Sequence, residues 1–363
     1  MTTPEKRETF RSSVPLAECT SIGLGGLAKS FAVCGSVREI RKALTYAREQ
    51  HLPVHVLGGG TNVIFSDEGF PGLVIRIALR GISVFAGSPY TVRAAAGEVW
   101  DDFVKLCIEY NLPGVECLSG IPGLVGATPI QNVGAYGQEV GQKITRVTAL
   151  DRTTLELVEF EGVNCWFGYR KSRFKAEDAD RYIITEVSFG LTPDERPVVH
   201  YLELQHALDQ RGVSIDPGKA GLLAIRDAVL TLRKKKSMLL DPQDPNARSV
   251  GSFFVNPILT KDQYTTLQKR WTDAGHSDAI PSFGAPEGIK VPAAWLVEHS
   301  GYPKGFRRDG VGVSPNHALA LVNYGGTTHE LLMLADDIRR AVEREFGIRL
   351  QLEPVIVPPL QLL

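Results

Sequence analysis

The chain has 363 residues, 43% hydrophobic and 22% charged, with a formal net charge of −1 at pH 7. That length divides into two or three domains with sizeable cores, and the balanced charge excludes the electrostatic footprint of a non-specific nucleic-acid binder. No apolar run reaches membrane-spanning length, and the polar opening Met1-Thr2-Thr3-Pro4-Glu5-Lys6-Arg7 lacks the apolar core of a signal peptide, so a cytoplasmic protein without membrane partners is expected.

Cys19, Cys34, Cys107, Cys117 and Cys165 are odd in number and never spaced C-x-x-C, which predicts reduced, mostly buried thiols and no metal site. Residues 20–28 contain Gly23-x-Gly25-x-x-Ala28, a dinucleotide fingerprint on paper. No apolar strand precedes it and a strand, not a helix, follows, so no Rossmann half is expected. Ser36 and Glu39 have capping-box spacing ahead of a helix over 36–51 with Val37, Ile40, Leu44 and Ala47 on one face. A short strand, Val54–Leu57, then runs into Gly58-Gly59-Gly60-Thr61-Asn62. Three consecutive glycines at the end of a strand are more than a tight turn needs, and suit a backbone cradle for a pyrophosphate.

Strands are predicted at 73–79 and 90–96, followed by a helix whose stripe is Val99, Trp100, Phe103, Val104, Cys107 and Tyr110. Next comes the stretch Ser119-Gly120-Ile121-Pro122-Gly123-Leu124-Val125-Gly126-Ala127-Thr128, continuing through Gln131-Asn132-Val133-Gly134-Ala135-Tyr136-Gly137, with five glycines and two prolines between 119 and 137. Such a loop fits no helix or strand, and its length and low charge point to a phosphate-bearing cofactor. Strands are predicted at 143–150, 155–160 and 182–189, and between the last two lies Tyr169-Arg170-Lys171-Ser172, whose cations read either as a solvated loop or as a guanidinium-based anion site. The turn-rich span 193–219 carries Tyr201 and reads as an inserted, mobile segment. A helix over 220–236 ends in Arg233-Lys234-Lys235-Lys236, either favouring the helix dipole or binding a diphosphate.

Asp241-Pro242-Gln243-Asp244-Pro245 marks a boundary. Beyond it, Phe253–Val255 is expected as a strand that puts Ser252 and Asn256 on one face. Helices at 261–271, 292–299 and 328–346, a strand at 318–323 and a final strand Ile348 to Val357 complete a smaller domain, with Glu353 on the face opposite Ile348, Leu350 and Leu352.

Taken together, Leu57-Gly58-Gly59-Gly60-Thr61-Asn62-Val63, the 119–137 loop, Tyr169-Arg170-Lys171-Ser172, Gly251-Ser252-Phe253-Phe254-x-Asn256-Pro257 and Leu352-Glu353-Pro354 resemble the UDP-N-acetylenolpyruvoylglucosamine reductase family in motif and order. The resemblance implies an α+β, vanillyl-alcohol-oxidase-type FAD-binding fold with a smaller C-terminal α+β substrate domain. It implies residues 1–80 with a tail, 354–363, as one FAD-binding subdomain, 81–235 as a second carrying a capping insert at about 193–219, and 241–353 as the substrate domain. FAD is expected non-covalently on the two glycine-rich loops, with NADPH as co-substrate and UDP-N-acetylglucosamine enolpyruvate as substrate of a monomeric enzyme of peptidoglycan synthesis. Ser252 is then the proton donor to C2, with Arg170 and Glu353 completing the catalytic set. Tyr201 caps the diphosphate, and Tyr169, Lys236, Asn256 and His299 contact substrate, with Glu298 an alternative to His299. The competing readings are another FAD-dependent sugar or alcohol oxidoreductase of the same fold, with His55 as the tethering candidate, and a non-catalytic UDP-sugar-binding protein.

Overall fold

The computed structural model describes residues 10–212 and 215–359. The polar opening at 1–7, residues 213 and 214 of the expected insert, and the last residues of the expected tail, 360–363, lie outside the described residues. The chain forms two compact units. One takes the chain up to Val14, Ala28–Gly59 and Pro71–Lys235, and the other takes Pro15–Leu27, Gly60–Phe70 and the chain from Lys236 onward.

In the first unit, helix α1 (Val37–Glu49) begins at Ser36, whose hydroxyl accepts the Glu39 N–H at 3.2 Å. The expected capping box is displaced by one residue, because the Glu39 carboxylate takes the Gly35 N–H at 2.7 Å. Ile40, Ala43, Leu44 and Ala47 are the buried stripe of α1, and they share a core with Leu73, Ile75 and Ile77. Those three belong to a four-stranded sheet in the order Arg11–Pro15, Leu27–Cys34, Phe70–Ile77, Val54–Leu57, the last pair parallel. A second sheet of five antiparallel strands runs Leu157–Glu161, Ile144–Asp151, Tyr182–Leu191, Tyr90–Ala95, Ile82–Phe85. Against it lies α2 (Trp100–Glu109), with Phe103 and Phe189 ring centroids 4.5 Å apart.

The span expected as irregular insert contains a helix, α3 (Leu202–Asp209). Leu204 and Leu208, with Val199, bury against Ile225, Ala228 and Val229 of α4 (Lys219–Lys235). A single i,i+4 leucine pair among turn formers is too short a pattern to read from sequence, and packing on α4 decides it.

In the second unit, α5 (Lys261–Asp273), α6 (Ala293–His299) and α7 (Thr328–Phe346) match the expected helices, and full capping boxes start α5 at Thr260 and α7 at Thr327. Two extended segments depart from expectation. Residues 252–255 make no regular ladder: Ser252 bridges Ala320 on one side while Phe254 bridges Leu352 on the other. Phe253 and Phe254 are consequently both buried, at 0% and 1% exposure, so the expected two-residue alternation is lost. The final strand shortens to Val355–Val357, paired in parallel with Val63–Phe65. Upstream, the Arg339 side chain takes the Leu350 carbonyl at 3.1 Å, a role a partner strand would otherwise fill.

His55 lies within Val54–Leu57. Burial, opposed by Asp180 and reinforced by Arg152, lowers its imidazole to about 4. The unfolded chain takes up that proton below about pH 6.5 and the native state does not, so stability should fall as pH drops through this window. Urea midpoints at pH 7 and pH 4.5 should differ for the native chain by on the order of 2 kcal/mol in stability, and His55→Gln should remove most of the difference.

Candidate active site

The 119–137 loop of the first unit is held in place by its neighbours. Trp100 donates its indole N–H to the Leu118 carbonyl at 3.0 Å and its backbone N–H to Gly123 at 3.1 Å. Val125 and Gly126 donate to the carbonyls of Glu98 and Ala96 at 2.9 and 3.0 Å. The approach at Gly126 admits no side chain, since a Cβ there would lie 2.4 Å from that of Ala96. Ser119 and Thr128 turn their hydroxyls inward, donating to Glu116 at 2.6 Å and Val125 at 2.8 Å. The first glycine loop meets this one: a Cβ on Gly58 would stand 3.9 Å from both Ala127 and Leu124. Gly58 and Gly59, following the end of a parallel strand at Leu57, thus lie beside the Leu124 and Ala127 side chains, at a strand end of the kind that places ligands in α/β folds.

Arg170 joins the same loop. Gly168 and Lys171 exchange backbone hydrogen bonds of 3.1 and 3.0 Å, so Tyr169 and Arg170 form the tip of a tight turn. The Arg170 guanidinium donates to the Gly134 carbonyl at 2.9 Å and stands 5.3 Å from the Tyr169 ring. Asn132, 2% exposed, fastens the turn from beneath. Its amide donates to Glu139 at 2.7 Å and to the Gly168 carbonyl at 2.9 Å, and its oxygen accepts the Gly141 N–H at 2.8 Å. The Asn132 side chain therefore builds the site. Gln131 and Ala135 flank it, half-buried.

Tyr201 opens α3 and sets its ring edge-on to Tyr136, centroids 5.5 Å apart. Burial pushes the Tyr136 phenol up to about 12, and burial with Glu203 raises that of Tyr201, so both stay protonated near neutrality. Tyr201 is 44% exposed and presents an aromatic face with a hydroxyl.

In the second unit, Gly60 presses on the chain at Cys19. A Cβ there would fall 1.9 Å from the Cys19 oxygen, and φ is +68°, so only glycine fits. Thr61 follows, and Asn62 donates from its amide to the Glu353 carbonyl at 3.3 Å. The Glu353 N–H in turn donates to Phe253 at 2.9 Å, and the Phe253 N–H to Leu319 at 2.8 Å. Ser252 and Glu353, 101 positions apart by residue number, are thereby placed on neighbouring extended segments of one unit, both half-buried. Asn256 spends its oxygen on the Ala293 N–H at 2.8 Å, fixing the start of α6. On α6, His299 donates from Nδ1 to the Trp295 carbonyl at 2.8 Å and stacks on the Trp295 ring, while Glu298 pairs with Lys304 at 3.5 Å. The carbonyl can only accept, so a neutral His299 offers Nε2 as an acceptor. Lys236 follows α4 directly, half-buried and next to the buried Ser237.

Asp101 and Arg233 bond the loop at Gly120, Arg226 holds Asp101, and none was singled out for it by sequence. Arg233 donates to the Gly120 carbonyl at 3.2 Å, whereas Lys234 and Lys235 are exposed. The available signal was spacing: Arg226 and Arg233 are seven residues apart, two helical turns along one face of α4.

Residues 242–357 match the family model of the UDP-N-acetylenolpyruvoylglucosamine reductase C-terminal domain, and residues 28–156 match that of an FAD binding domain. The UDP-N-acetylenolpyruvoylglucosamine reductase of Thermobifida fusca is 44% identical over 356 residues, 96% of this chain and 98% of that one. Its counterpart in Mycobacterium tuberculosis H37Rv is 42% identical over 358 residues, 95% and 94% of the two chains. The crystal structure of UDP-N-acetylenolpyruvylglucosamine reductase from Thermus caldophilus shares the fold, with a TM-score of 0.64 at 23% identity over 96% of this chain and 100% of that one. The expected fold, an FAD-binding α+β region followed by a smaller C-terminal domain, is the fold of this chain. On identity, coverage and architecture together, the chain belongs to the UDP-N-acetylenolpyruvoylglucosamine reductase family.

Proposed function

We infer that this chain is an FAD-containing, NADPH-dependent reductase that converts UDP-N-acetylglucosamine enolpyruvate to UDP-N-acetylmuramate for peptidoglycan synthesis. The observation that carries the reading is the nearness of Gly58 to the Leu124 and Ala127 side chains, which sets one glycine loop beside the other in a chain of this family. Another oxidoreductase of the fold, or a non-catalytic UDP-sugar binder, accounts less well for identity that spans nearly the whole chain. We assign residues 1–80 and 81–235 to the flavin, with the tail from 354, and residues 241–353 to the substrate. The enzyme acts as a monomer in the cytoplasm, where nucleotide sugars and NADPH are found.

FAD, when bound, would supply the hydride relay between NADPH and C3 of the enolpyruvyl group. Leu57–Asn62 and Ser119–Thr128 would line its pyrophosphate; Gly120, Val125, Gly126, Ala127 and Thr128 already donate their N–H groups within the chain, so the backbone donors to it would come from Gly58–Gly60 and Gly123–Leu124, and Gln131 to Tyr136 would contact it from the far half of the loop. The nearness of Gly58 to Leu124 and Ala127 supports this assignment, and Gly126, pressed against Ala96, leaves no room for a side chain.

Addition at C3 leaves negative charge at C2 and on the adjoining carboxylate, which calls for fixed donors and a proton. Ser252 supplies the proton at C2 from its hydroxyl. Arg170 binds the substrate carboxylate with its guanidinium, which the bond to Gly134 and the Tyr169 ring hold in place. Glu353, whose backbone is tied to both Phe253 and Asn62, assists the proton transfer. Tyr169, Tyr201, Lys236 and Asn256 hold the UDP-sugar, with Tyr201 over the diphosphate.

Stopped-flow traces of Ser252→Ala should show flavin reduction by NADPH at the native rate and reoxidation by substrate slowed by roughly 10³-fold or more; equal slowing of both halves would remove Ser252 from the acid role. Arg170→Met and Glu353→Gln should each lower turnover by roughly 10²–10³-fold, the scale of one electrostatic stabiliser, and retained turnover in either would dismiss that residue. His299→Ala should raise substrate KM by roughly tenfold with kcat little changed, while Glu298→Gln leaves both near native. The opposite pattern transfers the contact to Glu298.

A further inference from the structure

Both polar backbone groups of Gly120 are gripped by side chains. Its N–H donates to the Asp101 carboxylate at 2.6 Å, and its carbonyl accepts from Arg233 at 3.2 Å. Asp101, in the first turn of α2, is itself held by Arg226 of α4 in a two-pronged pair, both contacts 2.7 Å. Arg226 is 8% exposed. Burial opposes the ionised Asp101 carboxyl, yet the hydrogen bonds from Arg226 and Gly120 hold it below the usual carboxylate range. Gly120 sits at φ +69°, immediately after Ser119, and begins the run that leads to Gly126. The same helix α4 packs Ile225, Ala228 and Val229 against Leu204 and Leu208 of the Tyr201 segment and against Tyr136.

We propose that Asp101 and Arg226 are a positioning pair for the flavin: they lock the Gly120 turn, so the 119–128 backbone is already in its binding form before the cofactor arrives. Neither side chain bonds the flavin in this role. What they remove is the ordering cost that a free glycine-rich loop would incur on binding. The proposal rests on the flavin reading given above. Its structural rival is a pair that merely staples α2 to α4.

The two roles separate when flavin affinity is measured on folded protein. Full-length chain stripped of flavin is titrated with FAD by fluorescence quenching, alongside melting curves of the flavin-free form. Asp101→Asn keeps an oxygen for the Gly120 N–H and loses the ion pair; Arg226→Gln removes the other half. Each should raise the FAD Kd roughly tenfold, and the double variant should be little weaker than either single one, since both break one interaction. Arg226→Lys, the milder change, should give an intermediate Kd and covers the case in which the others fail to fold. Melting temperatures that fall while every folded variant binds FAD within twofold of native would overturn the positioning role. Native chain that takes up no FAD would remove the flavin reading and this pair's role together, whereas native binding with unaffected variants removes only the pair's.

Discussion

A long glycine-rich backbone outside any helix or sheet must have its polar groups satisfied and its path fixed by other partners. The 119–137 loop shows how this chain meets that constraint. Trp100 anchors it at Leu118 and Gly123, the turn at 96–98 takes Val125 and Gly126, Asp101 and Arg233 take Gly120, and Asn132 fastens the far half to Gly168. Most of these anchors come from α2 or from the strand end ahead of it, elements whose own positions are set by the Trp100, Phe103 and Phe189 cluster. Aromatic burial thus reaches the loop through few bonds, and the loop inherits the rigidity of the core.

The second unit solves a related problem with less regular structure. Ser252 and Glu353 sit on extended segments joined by single bridges rather than by a ladder. A long strand would have fixed their alternation and sent one of two neighbouring residues to solvent. Isolated bridges on two sides let Phe253 and Phe254 both bury, leaving Ser252 half-buried beside dry surroundings. In a site of this kind the strength of each donor is raised by the exclusion of water.

The cysteines stand outside the chemistry. None of the five is joined in a disulfide, and burial raises the thiols of Cys34, Cys107, Cys117 and Cys165 well above the range in which a thiolate forms near neutrality. Cys117 packs with the small core formed by α3 and α4, which is the role its burial suits.

How much was legible without coordinates follows from how far each signal reaches along the chain. Local patterns identified α1, α2, α4, α5, α6 and α7 within a few residues, because apolar spacing and caps are written in neighbouring positions. The two glycine loops were equally legible, since their composition forbids regular structure. Helix α3 was not, because its two buried leucines have meaning only against α4. The final strand was overextended, because alternation at Ile348, Leu350 and Leu352 continues where the Arg339 side chain has already taken the Leu350 carbonyl. Sequence by itself determined every helix but α3, the glycine loops and, through motif order, the family. Tertiary structure alone decided that Asn132 works inward, that Asp101 and Arg226 hold Gly120, and that Glu353 lies beside Phe253. Those facts depend on bonds between residues far apart in the chain, and pairings of that kind leave no period or spacing to read.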